Sequence, residues 1–441
     1  MRIFVIGAGQ VGTTIVEALH EAHDLTVIDL DPARLEPLAY RFDISTIEGN
    51  GASRTVLTDA ALTGADLLIA CTSRDEANLV AAMIAKGISP QTTTLVRTTN
   101  PEYLEVWREG QLDVDFIVSS EEETAQAIAR SVAVPAARQT DVFAEGQVQM
   151  VELDVSDASS AAVVGPPLRE ARLPEDGRVA SIIRGEEMIL PGGDDVLRPG
   201  DRIVVIGSPA AAQAWGRLIA PDTGTVTDVV IWGAGRAGTA VARLLLEQEI
   251  GVRLIEASRE RARTVAEQLP GARVYHATGI DPDFLERERI RDAQVGVFAM
   301  RDDMKNHYAA TLAKVHGLGF TIAIVHEPAA AEVFERAGVD VTVNPRQVTA
   351  EEMVRFAHDP RTQQVTMLEG DRFEVLDITT RPGGEFVGMT FREMPIRGAL
   401  IGAIVRDGKA IFPRSDEVLR AGDRAIIFTE SSRVGEVERS L

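Results

Sequence analysis

Short apolar runs alternate along the chain with longer stretches in which apolar residues return every three or four positions. Ile3-Phe4-Val5-Ile6, Thr26-Val27-Ile28, Leu67-Leu68-Ile69-Ala70 and Thr94-Leu95-Val96 are runs of strand length, and the segments between them carry helical periodicity. Strands that alternate with amphipathic helices bury both faces of a parallel sheet, so residues 1–135 read as a doubly wound α/β domain. From residue 139 to 218 the pattern changes. Strand-like runs there are separated by turns such as Arg198-Pro199-Gly200-Asp201, with one short helical element expected near Leu168-Arg169-Glu170. This segment reads as a small α/β domain.

The whole pattern then returns. Gly7-Ala8-Gly9-Gln10-Val11-Gly12 reappears as Gly233-Ala234-Gly235-Arg236-Ala237-Gly238, each time between an apolar run and a helical pattern. Val27-Ile28-Asp29 matches Leu254-Ile255-Glu256, Asn50-Gly51 matches Thr278-Gly279, and Asn78 matches Asn306. Leu197-Arg198-Pro199-Gly200-Asp201-Arg202 matches Leu419-Arg420-Ala421-Gly422-Asp423-Arg424. The expected order is A-B-A′-B′, with domains over 1–135, 139–218, 226–358 and 362–441. The turn-rich Ala220-Pro221-Asp222-Thr223-Gly224-Thr225 reads as the linker between repeats.

Composition narrows the function classes. A chain of 441 residues exceeds one ordinary core. With 45% hydrophobic and 25% charged residues it is globular. A net charge of -22 repels phosphate backbones and anionic lipid, which argues against nucleic acid and direct membrane adsorption. The single Cys71 excludes an intramolecular disulfide, and no Cys/His cluster has zinc spacing. No apolar run approaches the roughly 18 residues that a membrane span needs. Arg2-Ile3-Phe4-Val5-Ile6-Gly7 enters a strand at once, without a targeting pattern, so the chain is expected to work in the cytoplasm.

The glycine segments carry the chemistry. After a strand and before a helix, Gly7 permits the turn, Gly9 lets the backbone approach a pyrophosphate, and Gly12 allows close packing on the sheet. The following helix points its unpaired N–H groups at the phosphates. Asp29 ends the next strand, where a carboxylate accepts hydrogen bonds from a ribose and repels a 2′-phosphate. The ends of two later strands, at Asn50-Gly51 and Thr72-Ser73, meet the same crevice in a doubly wound sheet. Arg97 is a planar donor suited to phosphate or carboxylate, or to a surface ion pair.

Gly7 to Gly12, Asp29, Gly49-Asn50-Gly51-Ala52-Ser53, Thr72-Ser73-Arg74-Asp75-Glu76-Ala77-Asn78 and Val96-Arg97 together resemble the N-terminal domain of the RCK (regulator of potassium conductance) family. The Leu-Arg-x-Gly-Asp-Arg segments resemble RCK C-terminal domains. Two such pairs resemble the tandem-RCK regulatory subunits of Trk-type potassium-uptake systems, over nearly the whole chain. The resemblance implies two Rossmann-like doubly wound parallel-sheet domains, each followed by a small α/β domain. It implies NAD(H) and/or ATP/ADP as regulatory ligands, and no catalytic residue. Carried over by motif, the contacts fall on Gly7, Ala8, Gly9, Gln10, Val11, Gly12, Asp29, Asn50, Gly51, Thr72, Ser73 and Arg97. In the second copy they fall on Gly233, Ala234, Gly235, Arg236, Ala237, Gly238, Glu256 and Gly279. The implied partners are an integral-membrane potassium-channel subunit (TrkH-like) and further copies of the chain, in a dimer or tetramer ring at the inner face of the membrane. Helix 122–132 and its counterpart 350–357 fall where RCK domains place a crossover helix between partners; ordinary core packing accounts for their apolar residues equally.

The second copy has diverged. Thr72 aligns with Met300, Glu76 with Met304, Gly49 with Ala277 and Arg97 with His326. Loss of a hydroxyl and a cation removes phosphate contacts, for which Arg236 partly compensates, so two unequal sites are expected. An NAD-dependent oxidoreductase is the rival reading. It would need a substrate domain with an acid/base constellation, whereas His276, His307, His316, His326 and His358 are scattered. A sensor for another transporter, or a C-type domain that binds a cyclic dinucleotide near Gly165-Pro166-Pro167-Leu168 or Gly388-Met389-Thr390-Phe391, remains open beside a hydrophobic dimer interface at those segments.

Overall fold

The computed structural model describes residues 1–134, 137–185, 187–221, 226–357, 362–368, 372–394 and 398–441. The expected linker residues 222–225 and His358 lie outside them. The first sheet comprises β1 (Arg2–Ile6), β2 (Asp24–Asp29), β3 (Ser45–Glu48), β4 (Leu67–Ala70), β5 (Thr93–Thr98) and β6 (Phe116–Ser119), all parallel, in the order β3-β2-β1-β4-β5-β6. Helices α1 (Gln10–Leu19), α2 (Pro32–Arg41), α3 (Arg54–Asp59), α4 (Asp75–Ile88) and α5 (Pro101–Arg108) connect the strands, and α6 (Ser120–Ala133) follows them. Ile3, Phe4, Val5 and Leu68 are inaccessible because helices cover the sheet on both faces. Strand order reverses between β1 and β4, which opens a crevice at their carboxyl ends.

An antiparallel sheet follows. Its strands β7 (Ala137–Phe143), β8 (Val148–Asp154), β9 (Gly177–Arg184), β10 (Glu187–Ile189) and β11 (Arg202–Gly207) run in the order β10-β9-β11-β8-β7, and α7 (Pro209–Ile219) packs Trp215 into its core. The helical element expected near Leu168 is a single turn, closed by Glu170 N and Ala171 N on Pro167 O. Its Leu168 joins the core of its own domain, as Met389 and Phe391 do in the second copy, so these apolar side chains are spent inside their domains.

The second half repeats both sheets. β12 (Asp228–Trp232), α8 (Arg236–Glu247), β13 (Gly251–Glu256), α9 (Arg259–Gln268), β14 (Arg273–His276), α10 (Pro282–Arg287), β15 (Val295–Phe298), α11 (Asp303–Val315), β16 (Phe320–Ile324), α12 (Pro328–Arg336), β17 (Val341–Val343) and α13 (Pro345–Val354) give the parallel order β14-β13-β12-β15-β16-β17. β18 (Thr362–Leu368), β19 (Phe373–Thr379), β20 (Ala399–Arg406), β21 (Lys409–Ile411), β22 (Arg424–Glu430) and α14 (Val434–Ser440) complete the chain, with strand order β18-β19-β22-β20-β21.

The repeated Leu-Arg-x-Gly-Asp-Arg segments are staples of the antiparallel sheets. Asp201 is buried and accepts two hydrogen bonds of 2.7 Å from Arg184 and one of 2.8 Å from the Arg198 amide. Asp423 holds Arg406 and the Arg420 amide in the same way, at 2.9, 2.9 and 2.8 Å. Gly200 and Gly422, at φ +89° and +86°, make the turn that aims these carboxylates inward. The two antiparallel sheets also pack face to face: Phe143, Met150 and Val204 share one core with Phe373, Ala403 and Phe428. At their edge Gln147 donates to Gly408 O at 2.7 Å and accepts from Ala410 N at 2.9 Å.

The chain forms two compact units, one of residues 1–124 with 344–359 and the other of 125–343 with 360–441. In the first unit α13, from the end of the second parallel-sheet domain, lies against α1 and β6. Among the described residues no helix is long and apolar enough to cross a membrane.

Candidate functional site

Each site is built around the turn from the first strand into its helix. Gly7 adopts φ +107°, in the region that favours glycine, and a Cβ there would press on Thr72 at 3.0 Å. A Cβ on Gly12 would lie 1.8 Å from Gly7 O, so this position brings α1 onto the turn by having no side chain. Gly9 differs: nothing lies within 4 Å of where its Cβ would be. It caps α1 in an extended conformation without a side-chain acceptor, so the first N–H groups of α1 point out of the turn with no side-chain cap. Ala8 and Val11 are buried and offer only backbone to a ligand, while Gln10 is half-buried at the mouth.

Asp29 closes the site on the β2 side. Its carboxylate accepts from Ala8 N at 2.6 Å and from Asp31 N at 2.9 Å, which fixes it beside the glycine turn. Asp31, just before Pro32, caps α2 through Ala33 N. Asn50 makes a local turn through Ala52 N at 3.0 Å. Gly51 has a packing role, because a Cβ there would meet the Ile6 side chain at 2.1 Å.

Thr72 and Ser73 lie in the loop after β4. Buried Asn78 on α4 holds this loop: its amide oxygen accepts from Thr72 N at 2.9 Å, and its nitrogen donates to Thr72 O and Arg97 O at 3.1 and 3.0 Å. Arg97 donates to Thr72 O at 3.1 Å and to Ser120 Oγ at 3.0 Å, and Thr349 of α13 donates to the same Ser120 oxygen at 3.0 Å. The Arg97 side chain thus ties the loop after β4 to α6 and α13. Cys71 lies beneath the turn with its thiol 3.5 Å from Ile6 O. Burial pushes that thiol up to about 12, against the nearby Arg97 cation, and leaves it unreactive.

The second turn has the same frame. Gly233 is at φ +103°, and a Cβ on Gly238 would lie 2.0 Å from Gly233 O. Gly235 caps α8 without a side-chain acceptor, Ala234 is buried, Ala237 is half-buried and Arg236 is exposed. Glu256 accepts from Ala234 N at 2.9 Å and from Ser258 N at 2.7 Å. It also pairs with Arg261 at 2.7 Å. Burial works against its charge, but the Arg261 guanidinium and the two amides outweigh it and hold the carboxyl below the usual carboxylate range. Gly279, at φ +70°, accepts at its carbonyl from Trp232 Nε1 at 2.8 Å, and the Trp232 ring stacks on Phe298. Asn306 repeats the Asn78 clamp, bonding Met300 N and O at 2.9 Å each and Ile324 O at 2.9 Å.

That clamp corrects one alignment. Asn78 reaches Arg97 O where Asn306 reaches Ile324 O, and the strand registers pair Ala70 with Val96 and Phe298 with Ala323. The counterpart of Arg97 is therefore Ile324. His326 corresponds to Thr99 instead: its amide and ring bond Asp303, as Thr99 N bonds Asp75. Asn306 to Ile324 is one residue shorter than Asn78 to Arg97, whereas matching Arg97 with His326 requires that stretch to be one residue longer, a two-residue offset that only the strand register reveals. Sequence reasoning missed Arg261, whose signal is a basic residue in the first helical turn after the carboxylate, and Arg346, which bonds Gln10 across the α1–α13 contact. No local pattern could have linked those two positions.

The chain matches the TrkA-N domain model over residues 3–120 and 229–345 and the TrkA-C domain model over 153–220 and 375–441. It is 33% identical to Trk system potassium uptake protein TrkA homolog 1 of Methanosarcina mazei, covering 100% of this chain and 99% of that protein. It is 32% identical to the TrkA homolog of Archaeoglobus fulgidus, over 99% of each, and 29% identical to Trk system potassium uptake protein TrkA of Haemophilus influenzae, over 100% and 98%. Among solved structures, the GsuK channel bound to NAD is similar in fold, with TM-score 0.60 at 17% identity over 100% of this chain and 79% of that one. The GsuK RCK domain superposes with TM-score 0.58 at 18% identity, over 100% and 94%.

Proposed function

The chain belongs to the TrkA family of Trk-system potassium-uptake proteins, and from that premise we propose that it is a nucleotide-responsive regulatory subunit, not an enzyme. NAD(H) or an adenine nucleotide binds at the first glycine turn, with its pyrophosphate on the α1 amides and its ribose on Asp29. The observation that carries this is the pairing of an α1 end lacking a side-chain cap with a carboxylate fixed 2.6 Å from Ala8 N. The relatives' names support potassium uptake by a Trk system as the setting; in our reading the chain works on the cytoplasmic side of a TrkH-like membrane partner, with its copies assembled as a dimer or ring. The solved GsuK channel bound to NAD supplies a precedent for the ligand in a related fold. A ligand that binds two ring conformations with different affinity shifts the channel equilibrium by that difference and no more.

The two sites are unequal in this reading. The first has Thr72 and Arg97 beside its loop, where the second has Met300 and Ile324, and Glu256 is already engaged by Arg261. Titration calorimetry with NADH, ADP and ATP tests it. Asp29→Ala is expected to weaken binding by about tenfold or more through the lost ribose hydrogen bonds, and Glu256→Ala to affect a separate, weaker phase. Equal effects of the two substitutions would remove the inequality, and no binding by the unaltered chain would remove the function. Flux through a reconstituted Trk-type membrane subunit, with and without each nucleotide, tests the regulatory step.

A further inference from the structure

The first glycine turn has a neighbour from far along the chain. Arg346, in the first turn of α13, donates from its guanidinium to the side-chain oxygen of Gln10, the first residue of α1. The N-terminal ends of two helices meet there. Neither has an acidic residue in its first turn, and α13 carries a cation where a helix dipole disfavours one. Asn344 caps the first amides of α13, and the Asp29 carboxylate holds only the Ala8 side of the turn, so the uncapped end of α1 and the Arg346 guanidinium together face the mouth where a phosphate would lie.

The repeat gives an independent comparison. At the position of Gln10 the second turn carries its own cation, Arg236. Strand register pairs Arg97 with Val118 in the first half and Ile324 with Val343 in the second, which places Arg346 opposite Glu121 in the repeat. The second turn is thus supplied with a guanidinium by its own loop, and the first by a helix of the other half. The arrangement conserves a cation at the mouth of each glycine turn while moving the residue that bears it.

We infer that Arg346 is a ligand-binding residue of the first site and takes the phosphates of the nucleotide, exchanging its bond to Gln10 for charge-assisted bonds to phosphate oxygen. The inference rests on the reading of that site as a nucleotide site. Bound phosphate then holds α13 against α1, so occupancy at the first turn is felt by an element of the second half. Adenosine, which lacks phosphate, gains nothing from Arg346.

The test compares ADP with adenosine on the full chain by calorimetry. Arg346→Gln is expected to weaken ADP at the first site by about ten- to a hundredfold and to flatten its salt dependence, with adenosine changed by less than about twofold. Adding Gln10→Arg to that variant, which copies the second turn's arrangement, is expected to restore most of the ADP affinity. Unchanged ADP binding in Arg346→Gln, or equal losses for ADP and adenosine, overturns the inference while leaving the nucleotide site standing. If Arg346→Gln does not fold, Arg346→Met decides: it keeps an unbranched stem and removes the charge, and an ADP affinity and salt slope equal to those of the unaltered chain overturn the role. Absence of ADP binding by the unaltered chain overturns the site itself.

Discussion

Asp201 shows how one side chain serves a fold. It is buried and paired with Arg184 and the Arg198 amide; burial opposes its charge, and these partners outweigh burial and hold its carboxyl below the usual range. A carboxylate with a lowered folded value adds stability at pH above the ordinary carboxylate range, and that stability is lost as pH falls through the lowered value. Asp201→Asn is therefore expected to cost about 2 kcal/mol near neutral pH, less than a fully buried pair because Arg184 keeps 32% of its side chain exposed. Urea denaturation of both proteins should show the gap narrowing as pH drops below the ordinary carboxylate range. The Leu-Arg-x-Gly-Asp-Arg repeat was plain in the sequence, yet its purpose was not. The partner of Asp201 sits on β9, and pairing across strands is fixed by register, not by local spacing. Asp29 and Glu256 were legible because their fold places a carboxylate at one strand end. Arg261 was not, since a surface arginine in a first helical turn resembles any other.

The turn and helix at residues 7–19 divide their glycines between two tasks. Gly12 lets α1 settle on the turn, and Gly9 leaves space above it. Gly12→Ala is expected to lower stability by about 1–3 kcal/mol, because its Cβ meets the rigid backbone carbonyl of Gly7. Gly9→Ala is expected to melt at the temperature of the unaltered chain and yet bind NADH about tenfold or more weakly, since its methyl fills the approach to the pyrophosphate. Thermal melts and calorimetry on the same samples check both. Strand and helix order in both parallel sheets followed from alternating apolar runs and helical periodicity. The antiparallel sheets were harder to read. β8, β11 and β22 are buried on both faces, and runs such as Val204-Val205-Ile206 and Ile426-Ile427-Phe428 lack the polar alternation of a sheet with one wet side. That absence was the sequence's sign that one sheet would cover another.

At the scale of the molecule, the four-part repeat was visible from the matching motifs, but the crossing of α13 to the first half was offered only by the RCK resemblance, beside ordinary core packing. A crossover helix has the same apolar stripe whichever domain it covers, so nothing in residues 345–354 says that they belong with α1. A fragment of residues 1–221 has no α13. Produced alone it is expected to sediment as a dimer, each copy lending the other its closing helix; a stable monomer would show that the loan is unnecessary. In two separate chains such lending depends on how often they meet. Joining them end to end settles the matter at synthesis, so the lender is always within reach and no dilution in the cell can part it from its debtor.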